Sequence, residues 1–375
     1  MDKDILEFEL KNHTQAIIKV VGVGGGGSNA VNHMFHEGIH DVSFALCNTD
    51  NQALSTSPVP VKVQLGEQTT RGLGAGNKPE IARQAAEESI DLIRDLLSDG
   101  TRMVFITAGM GGGTGTGAAP VIARIAKEME ILTIGIVTIP FMFEGPRKII
   151  QALKGVEEIA NNVDALLVIN NERLRDIYKD LTMMNAFAKA DDTLATAAKS
   201  IAEIITVHGH VKLDFADVNI TLKDGGVAIM SRGIGKGENR INDAIEDALH
   251  SPLLNNNDVF SAKKILVNIS YGEEAPLMME EMNDFHEFMS KFGNEIEVIW
   301  GAAVEDSLEE EVKITLLATG FAITSVPGIN EQRQEESKAE ELERKIKEDA
   351  QKKQEEEDKL LIEKYYGKEG LRSIT

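Results

Sequence analysis

The sequence predicts an α/β chain: a parallel sheet covered by helices, one long central helix, a second and smaller α/β domain, and a charged C-terminal tail. Three observations lead there. Up to about residue 180, short runs of continuous Val, Ile and Leu alternate with helical patterns. Strands of that kind are buried on both faces, and their alternation with helices makes a parallel sheet. A segment near 185–206 is helical in pattern and apolar on more than one face. After residue 330 the chain turns to Glu, Lys, Gln, Arg and Ala, a composition that cannot offset its ordering entropy by burial. The first region is accordingly read as Rossmann-like.

Taken in order, Ala16–Val23 reads as a strand running into glycines, followed by a helix at Ser28–His36 and a strand at Val42–Cys47. Lys78–Leu97 reads as one helix, with Ile81, Ala85, Ile90, Ile93 and Leu97 near helical spacing. Met103–Ala108, Ile131–Thr138 and Ala165–Ile169 read as strands, separated by helices at Ala118–Glu128 and Arg147–Asn161. The central helix runs from Asn185 to Thr206, with Phe187, Ala190, Leu194, Ala197, Ile201 and Ile205 on one face and slim Ala195, Ala198 and Ala202 on another. Beyond it, strands are expected at Asp217–Leu222, Val227–Ser231, Ala262–Ser270, Glu297–Ala303 and Val312–Ala318, with helices at Ile241–His250 and Leu277–Phe292. Residues 331–358 carry Glu/Lys pairs at i,i+4 and fit a solvated single helix or coil; Leu342 and Ile346 are too few for a coiled-coil seam. Leu360–Tyr366 regains apolar character, as a partner-binding peptide or a disordered terminus does.

Composition narrows the function. The formal net charge is -22 over 375 residues, which repels nucleic acid and anionic membrane. Aromatics are 5% with one tryptophan, Trp300, which argues against a carbohydrate-binding or base-stacking surface. The single cysteine, Cys47, makes no internal disulfide, suits a reducing compartment, and reads as a buried strand residue rather than a nucleophile. The N-terminal MDKDILEFELKNH lacks the apolar core of a signal peptide, and no apolar run approaches a membrane span of about 20 residues. The expectation is a cytoplasmic protein with no direct membrane insertion.

Two glycine-rich segments carry the chemistry. The first, IKVVGVGGGGSNA at 18–30, takes a strand through Gly24, Gly25, Gly26 and Gly27 into Ser28, Asn29 and a helix. Glycines let the backbone approach an anion, and a helix start offers free N–H groups and a positive dipole end. Alone this is ambiguous: GxGxxG followed by Asp50 also fits a dinucleotide-binding dehydrogenase. The second, TAGMGGGTGTGAAP at 107–120, decides against that rival. It is a further phosphate cradle, Gly109 to Gly117, in which Thr114 and Thr116 add hydroxyl donors. A dehydrogenase needs one pyrophosphate loop, its catalytic His or Lys is not evident, and the Walker string GxxxxGK[ST] is absent.

With GGGTGTG after a strand and a glycine-rich N-terminal loop, the chain resembles the tubulin/FtsZ family over roughly Ala16–Pro327. The segment FEG at 143–145, the run LDFADV at 213–218 and the short chain resemble its bacterial division members rather than eukaryotic tubulin. The resemblance implies a self-assembling GTPase of the cytokinetic ring, at the division site. It implies GTP or GDP held by Gly111, Gly112, Gly113, Thr114, Gly115, Thr116 and Gly117 together with the first loop. Asn48 and Asp50 match a second loop, and Gly74, Ala75 and Gly76 a third that senses the γ-phosphate. Glu144 would hold the ribose, Asn171 matches a further loop, and Phe187 and Asp191 would stack on and hydrogen-bond guanine. Guanine's N1–H and N2–H donors suit a carboxylate, and adenine lacks that paired edge. A basic contact is expected from Arg147 or Lys148. Mg2+ is expected with the nucleotide and K+ is compatible; the residues do not assign a metal ligand.

The resemblance also divides the chain into an extension (1–15), a GTP-binding domain (16–184), the central helix (185–208), an activation domain (209–329) and a linker with tail (330–375). Asp214 and Asp217, at i,i+3, read either as a capping Asp that starts the next element or as acids that orient a water for attack on phosphate; in the family these acids enter the next subunit's pocket. A central helix of about 20 residues is about 30 Å long at ~1.5 Å per residue, so acids beyond its end do not easily reach phosphates near its start. Lys212 stands where the family has Asn, which bears on hydrolysis rather than binding; a scaffold that binds GTP without hydrolysing it is the alternative. Expected partners are the chain itself, head to tail, and division adaptors or membrane tethers at the C-terminal end.

Overall fold

In the computed structural model, residues 16–39, 41–178, 182–207, 209–251, 259–293, 295–326 and 328–329 are described. The Leu360–Tyr366 peptide and the 331–358 segment lie outside them. Elements up to Val326 pack as one compact unit; Pro327–Thr375 is a second, of which only Gly328 and Ile329 are described.

The first region alternates strand and helix as expected. It comprises β1 (Ile18–Val23), α1 (Gly24–Glu37), β2 (Val42–Asn48), α2 (Asn51–Thr56), β3 (Val61–Gln64), α3 (Glu67–Thr70), α4 (Pro79–Glu88), α5 (Ile90–Leu97), β4 (Met103–Gly109), α6 (Gly113–Glu128), β5 (Leu132–Ile139), α7 (Pro146–Ala160), β6 (Ala165–Asn170) and α8 (Asn171–Ile177). Next come the central helix α9 (Met183–Thr206), β7 (Gly209–Val211) and α10 (Phe215–Leu222). The remainder is β8 (Gly226–Gly235), α11 (Arg240–Leu249), β9 (Lys264–Tyr271), α12 (Glu281–Ser290), β10 (Glu297–Val304) and β11 (Val312–Phe321). One eleven-stranded sheet, ordered β3-β2-β1-β4-β5-β6-β8-β11-β9-β10-β7, runs through the described residues. Strands β1 to β6 are all parallel, and β6 joins β8 by the short register Ala165↔Gly226 to Leu167↔Ala228. The chain winds outward from β1 to β3, then restarts at β4 on the other side of β1, so a switch point lies between β1 and β4. Ligands in such sheets bind beyond the carboxyl ends of the strands at that point.

Four expectations need correction. Asp217–Leu222 is not a strand: α10 occupies it, because Asp214 accepts from the N–H groups of Ala216 and Asp217 while Asp217 accepts from Asp214 N. That reciprocal capping box starts a helix in spite of the β-branched Val218, Ile220 and Thr221. Lys78–Leu97 is two helices, bent at Ser89, whose hydroxyl accepts from Gly66 N at 2.9 Å. The expected helix at Leu277–Phe292 is shortened to α12; Glu281, its first residue, accepts from Met278 N and pairs with the buried Arg240. Gly24–Gly27 and Gly113–Gly117 form the first turns of α1 and α6 rather than loops before them, while Gly111 and Gly112 stay in the loop after β4. Glycine costs about 1 kcal/mol per residue against alanine in a helix, but packing demands it here. A Cβ on Gly27 would stand 2.2 Å from Thr107 O.

The long helix buries most of its expected face. Leu194, Ala195, Ala197, Ala198, Ile201 and Ala202 are buried in a core that also holds Ile134, Leu167, Leu266 and Leu317, while Phe187 is exposed and Ile205 is partly buried. Cys47 is fully buried at the end of β2, and its thiol is pushed up to about 12 by that burial, so it is inert. No helix among the described residues is long and apolar enough to cross a membrane.

Candidate functional site

A cavity of about 380 Å³ opens at the carboxyl ends of the parallel strands, on the β1/β4 switch point. Its floor is backbone. Gly25 and Gly26 come from the first turn of α1, and Gly112, Gly113, Thr114 and Gly115 from the loop after β4 and the start of α6. Two helix N-termini thus converge, each presenting unpaired N–H groups and a positive dipole end. Gly111 has φ +95, a conformation closed to most side chains, and its N–H donates to Thr116 Oγ1 at 2.9 Å. Thr116 therefore braces the loop from behind.

Gly25 and Gly112 differ from their neighbours. A Cβ on either would meet no protein atom within 4 Å, so packing does not demand glycine there. What a side chain would fill is the cradle itself. Gly25→Ala is thus expected to leave the melting temperature unchanged or slightly raised, since alanine is the better helix former. The same change should weaken binding of the guanine nucleotide that the resemblance implies at least tenfold; unimpaired binding in titration calorimetry would show that no phosphate lies against this turn.

The walls carry the polar groups. Asn29 projects from α1 and Asn171 from the start of α8. Asn171 is 5% exposed, and its Oδ1 has no hydrogen-bond partner among the described residues; a buried orphan acceptor facing a cavity calls for a donor from a ligand. Glu144 accepts from Phe141 N at 2.9 Å and pairs with Lys148, one turn along. Of the two candidate cations, Lys148 lines the cavity and Arg147 does not. From α9 come Phe187, Ala190, Asp191 and Leu194, the i, i+3, i+4, i+7 stripe of one helical face. Three of the scarce aromatics meet here: Phe187 stands edge-on to Phe141 and Phe143, which stack on each other at 5.1 Å. The low aromatic content therefore does not deprive the cavity of a flat apolar wall. Burial raises the Asp191 carboxyl to about 6, with His33 opposing the shift, as expected for a group awaiting a hydrogen-bond donor.

The other anticipated residues are not lining. Gly24, Gly27 and Gly117 pack against backbone behind the cradle; Gly24 has φ +70 with Gly115 N beside it, and a Cβ on Gly117 would stand 2.0 Å from Pro79 O. Ser28 is buried, and its hydroxyl has no hydrogen-bond partner among the described residues. Asn48 accepts from Asp50 N, and Asp50 caps α2. Their loop is tied to the cradle where Thr49 and Thr114 share a hydroxyl hydrogen bond of 2.7 Å, and to the 72–76 loop through Gly74 N and Thr49 O. Ala75 backs Gly113, and a Cβ on Gly76 meets nothing. Met110, Thr138, Pro140, Ala190 and Leu194 line the cavity without having been named as ligands. Strand ends and the helical stripe were the signals that point to them.

Asp214 and Asp217 do not line the cavity. Phe215, between them, lies under the Arg102 guanidinium at 4.8 Å. Arg102 immediately precedes β4, and its backbone bonds Ile17 and Leu132, residues at the strand starts. The acids thus belong to the edge of the sheet opposite the cavity. A seven-residue β4 at ~3.3 Å per residue puts roughly 20 Å between them. Each acid uses one oxygen in the capping box, leaving Asp214 Oδ2 and Asp217 Oδ1 without partners among the described residues.

Residues 17–179 match the Tubulin/FtsZ family GTPase domain, and residues 226–322 match the FtsZ family C-terminal domain. The chain is 59% identical to the cell division protein FtsZ of Porphyromonas gingivalis over 326 residues, 86% of this chain and 71% of that one. The chain belongs to the tubulin/FtsZ family. It is also 47% identical to the cell division protein FtsZ of Aquifex aeolicus, over 81% of this chain and 83% of that one. The structure is similar to an empty FtsZ dimer from M. jannaschii, with a TM-score of 0.75 and 39% identity over 82% of this chain and 89% of that one. For a tubulin/FtsZ GTPase, a cavity floored by two helix starts and walled by a carboxylate and an aromatic ring fits a guanine nucleotide.

Proposed function

We propose that this chain is a GTPase of cell division that polymerises head to tail and hydrolyses GTP at the junction between subunits. The observation that carries it is the separation just described: phosphate cradle on one edge of the sheet, acid pair on the other. In a stack, each acidic edge meets the next subunit's cavity. A head-to-tail interface of this kind propagates as an open filament where the rotation between subunits does not close a ring.

In this reading residues 16–184 hold the nucleotide, the helix 185–208 links base to acids, and 209–329 supplies the acids. The helix starts and Gly25, Gly26 and Gly112–Gly115 hold the phosphates, Lys148 adds positive charge, and Glu144 takes the ribose. Asp191 and Phe187 read the base, with Asn171 Oδ1 accepting from the nucleoside. The partner's Asp214 and Asp217 orient water for attack. A Mg2+ ion bound by the phosphates would neutralise charge that develops there. The cavity's two carboxylates are committed, Glu144 to Lys148 and the ribose and Asp191 to the base, so the oxygen ligands such an ion prefers are the phosphates, water and the incoming acids. An exposed apolar rim supports stacking: Leu73 is 85% exposed and Met184 79%, with Met142, Phe143 and Met183 also open. Adaptors or tethers would bind the C-terminal end.

Two measurements on one purified sample test this. The protein should retain GDP or GTP, not NAD, and phosphate release per subunit should rise steeply with protein concentration. Activity per subunit that is independent of concentration would overturn the shared site.

Lys212 is exposed, two residues before Asp214. It favours the second reading, a scaffold that binds GTP without hydrolysing it, because a cation there competes for water and metal placement. Lys212→Asn should then raise GTP turnover several-fold with nucleotide affinity unchanged. Equal or lower turnover would show that this active edge works with lysine, and would remove the scaffold reading.

A further inference from the structure

We propose that His33, Glu37 and Asp192 form a binding site for one divalent transition-metal ion of the Zn2+ class, outside the nucleotide cavity. His33 and Glu37 are four apart on α1 and leave the same face of that helix. Asp192 comes from α9, which packs along α1. His33 Nε2 lies 3.5 Å from Glu37 Oε1 and 3.8 Å from Asp192 Oδ1, and the three donor atoms fall within 4.8 Å of one another. These separations are too long for good hydrogen bonds. The two distances from His33 are close to what one tetrahedral ion requires, since bonds of about 2.0–2.2 Å put ligand atoms roughly 3.3–3.6 Å apart, and the two carboxylates have only to turn inward about the imidazole.

A second observation concerns the imidazole. The ring is partly exposed, but Nε2 itself is shut off from solvent and has no hydrogen-bond partner among the described residues. It points at the two carboxylates, and an ion between the three groups satisfies it. The outer contacts suit such a role. Lys189 Nζ donates to Asp192 Oδ2 at 2.6 Å, which orients the carboxylate and leaves Oδ1 towards His33. One imidazole nitrogen with two carboxylate oxygens selects a borderline ion such as Zn2+. Mg2+ and Ca2+ take oxygen ligands. Three protein ligands leave a fourth position for water.

Such an ion would clip α1, which begins in the first glycine turn, to α9, which carries Phe187 and Asp191. The site rests on its own geometry and stands whether or not the nucleotide reading holds.

The test uses the full chain without an affinity tag, with GDP and Mg2+ present so that nucleotide-linked cation binding is satisfied. Co2+ serves as the spectroscopic probe for Zn2+. One equivalent of Co2+ should bind with visible d–d absorption that Zn2+ displaces, and Zn2+ should raise the melting temperature. His33→Gln and Asp192→Asn should each weaken Co2+ binding at least tenfold and abolish the thermal shift while retaining GDP. Glu37→Gln, at the exposed end of α1, provides the same readout if either variant fails to fold. Absence of the band at one equivalent, or unchanged Co2+ affinity in folded variants, would show that the trio is only an imidazole–carboxylate cluster.

Discussion

Asp217→Asn should lower GTP turnover by about 10²-fold or more, the scale of a lost general base or water-orienting acid, while GTP binding stays within twofold of wild type. The substitution separates two roles of one residue. Asp217 Oδ2 accepts from Asp214 N to close the capping box, and an asparagine oxygen can keep that bond, so the melting temperature should change little. Asp217→Ala removes both roles and should lose a further ~1 kcal/mol of stability, as lost caps do. If Asp217→Asn turns over normally and Asp217→Ala fails only by unfolding, the pair is a cap and nothing more.

Asp191→Ala should erode the preference for guanine over adenine by roughly 10²–10⁴-fold, since two hydrogen bonds to a charged acceptor are worth about 1.5–3 kcal/mol each. The carboxyl's raised value adds a pH signature. Burial holds it at about 6 in the empty protein, against ~3.9 unfolded. The folded state therefore binds the extra proton between pH 4 and 6, and this group's contribution to stability falls as pH rises through that window. Guanine N–H groups require the ionised form. Affinity should accordingly rise from pH 5 to about 6.5 and then level off. Comparing wild type with Asp191→Ala cancels the titration of the nucleotide's own phosphates. Equal pH profiles, or an unchanged ATP/GTP ratio in the variant, would remove Asp191 from base recognition.

Much of the fold was legible because burial in a parallel sheet leaves a plain mark. The runs VVGV, MVFITA and LLVI have no polar alternation and became β1, β4 and β6, while the period of the central helix marked both its buried faces. What was misread was local physics overridden by contacts distant in sequence. Gly24–Gly27 and Gly113–Gly117 are poor helix formers read as loops, yet helix packing against Thr107 and Pro79 makes them first turns. Val218, Ile220 and Thr221 favour a strand, yet the two aspartates that drew notice as acids start a helix there. The short β3 and β7, of four and three residues, are below what periodicity detects.

At the site, the sequence motif could not separate glycines that face the ligand, such as Gly25 and Gly112, from those that face the protein, such as Gly27 and Gly117. Only the space around each Cβ does so. Likewise the resemblance named both halves of the site, but the distance between them is a property of the sheet, set by the length of β4.

The central claim is that one catalytic site needs two subunits, and mixing two inactive variants tests it most directly. Asp217→Asn has an intact cavity and a deficient acidic edge. Gly112→Trp has an intact edge and a filled cavity, because its side chain enters space where no protein atom lies within 4 Å of the Cβ. Each alone should release phosphate at background rates. Mixed one to one at concentrations that support assembly, they should recover a substantial fraction of wild-type GTPase activity, as each intact cavity meets an intact edge across a junction. If both variants are folded and co-assemble, yet the mixture stays at background, hydrolysis is not shared between subunits.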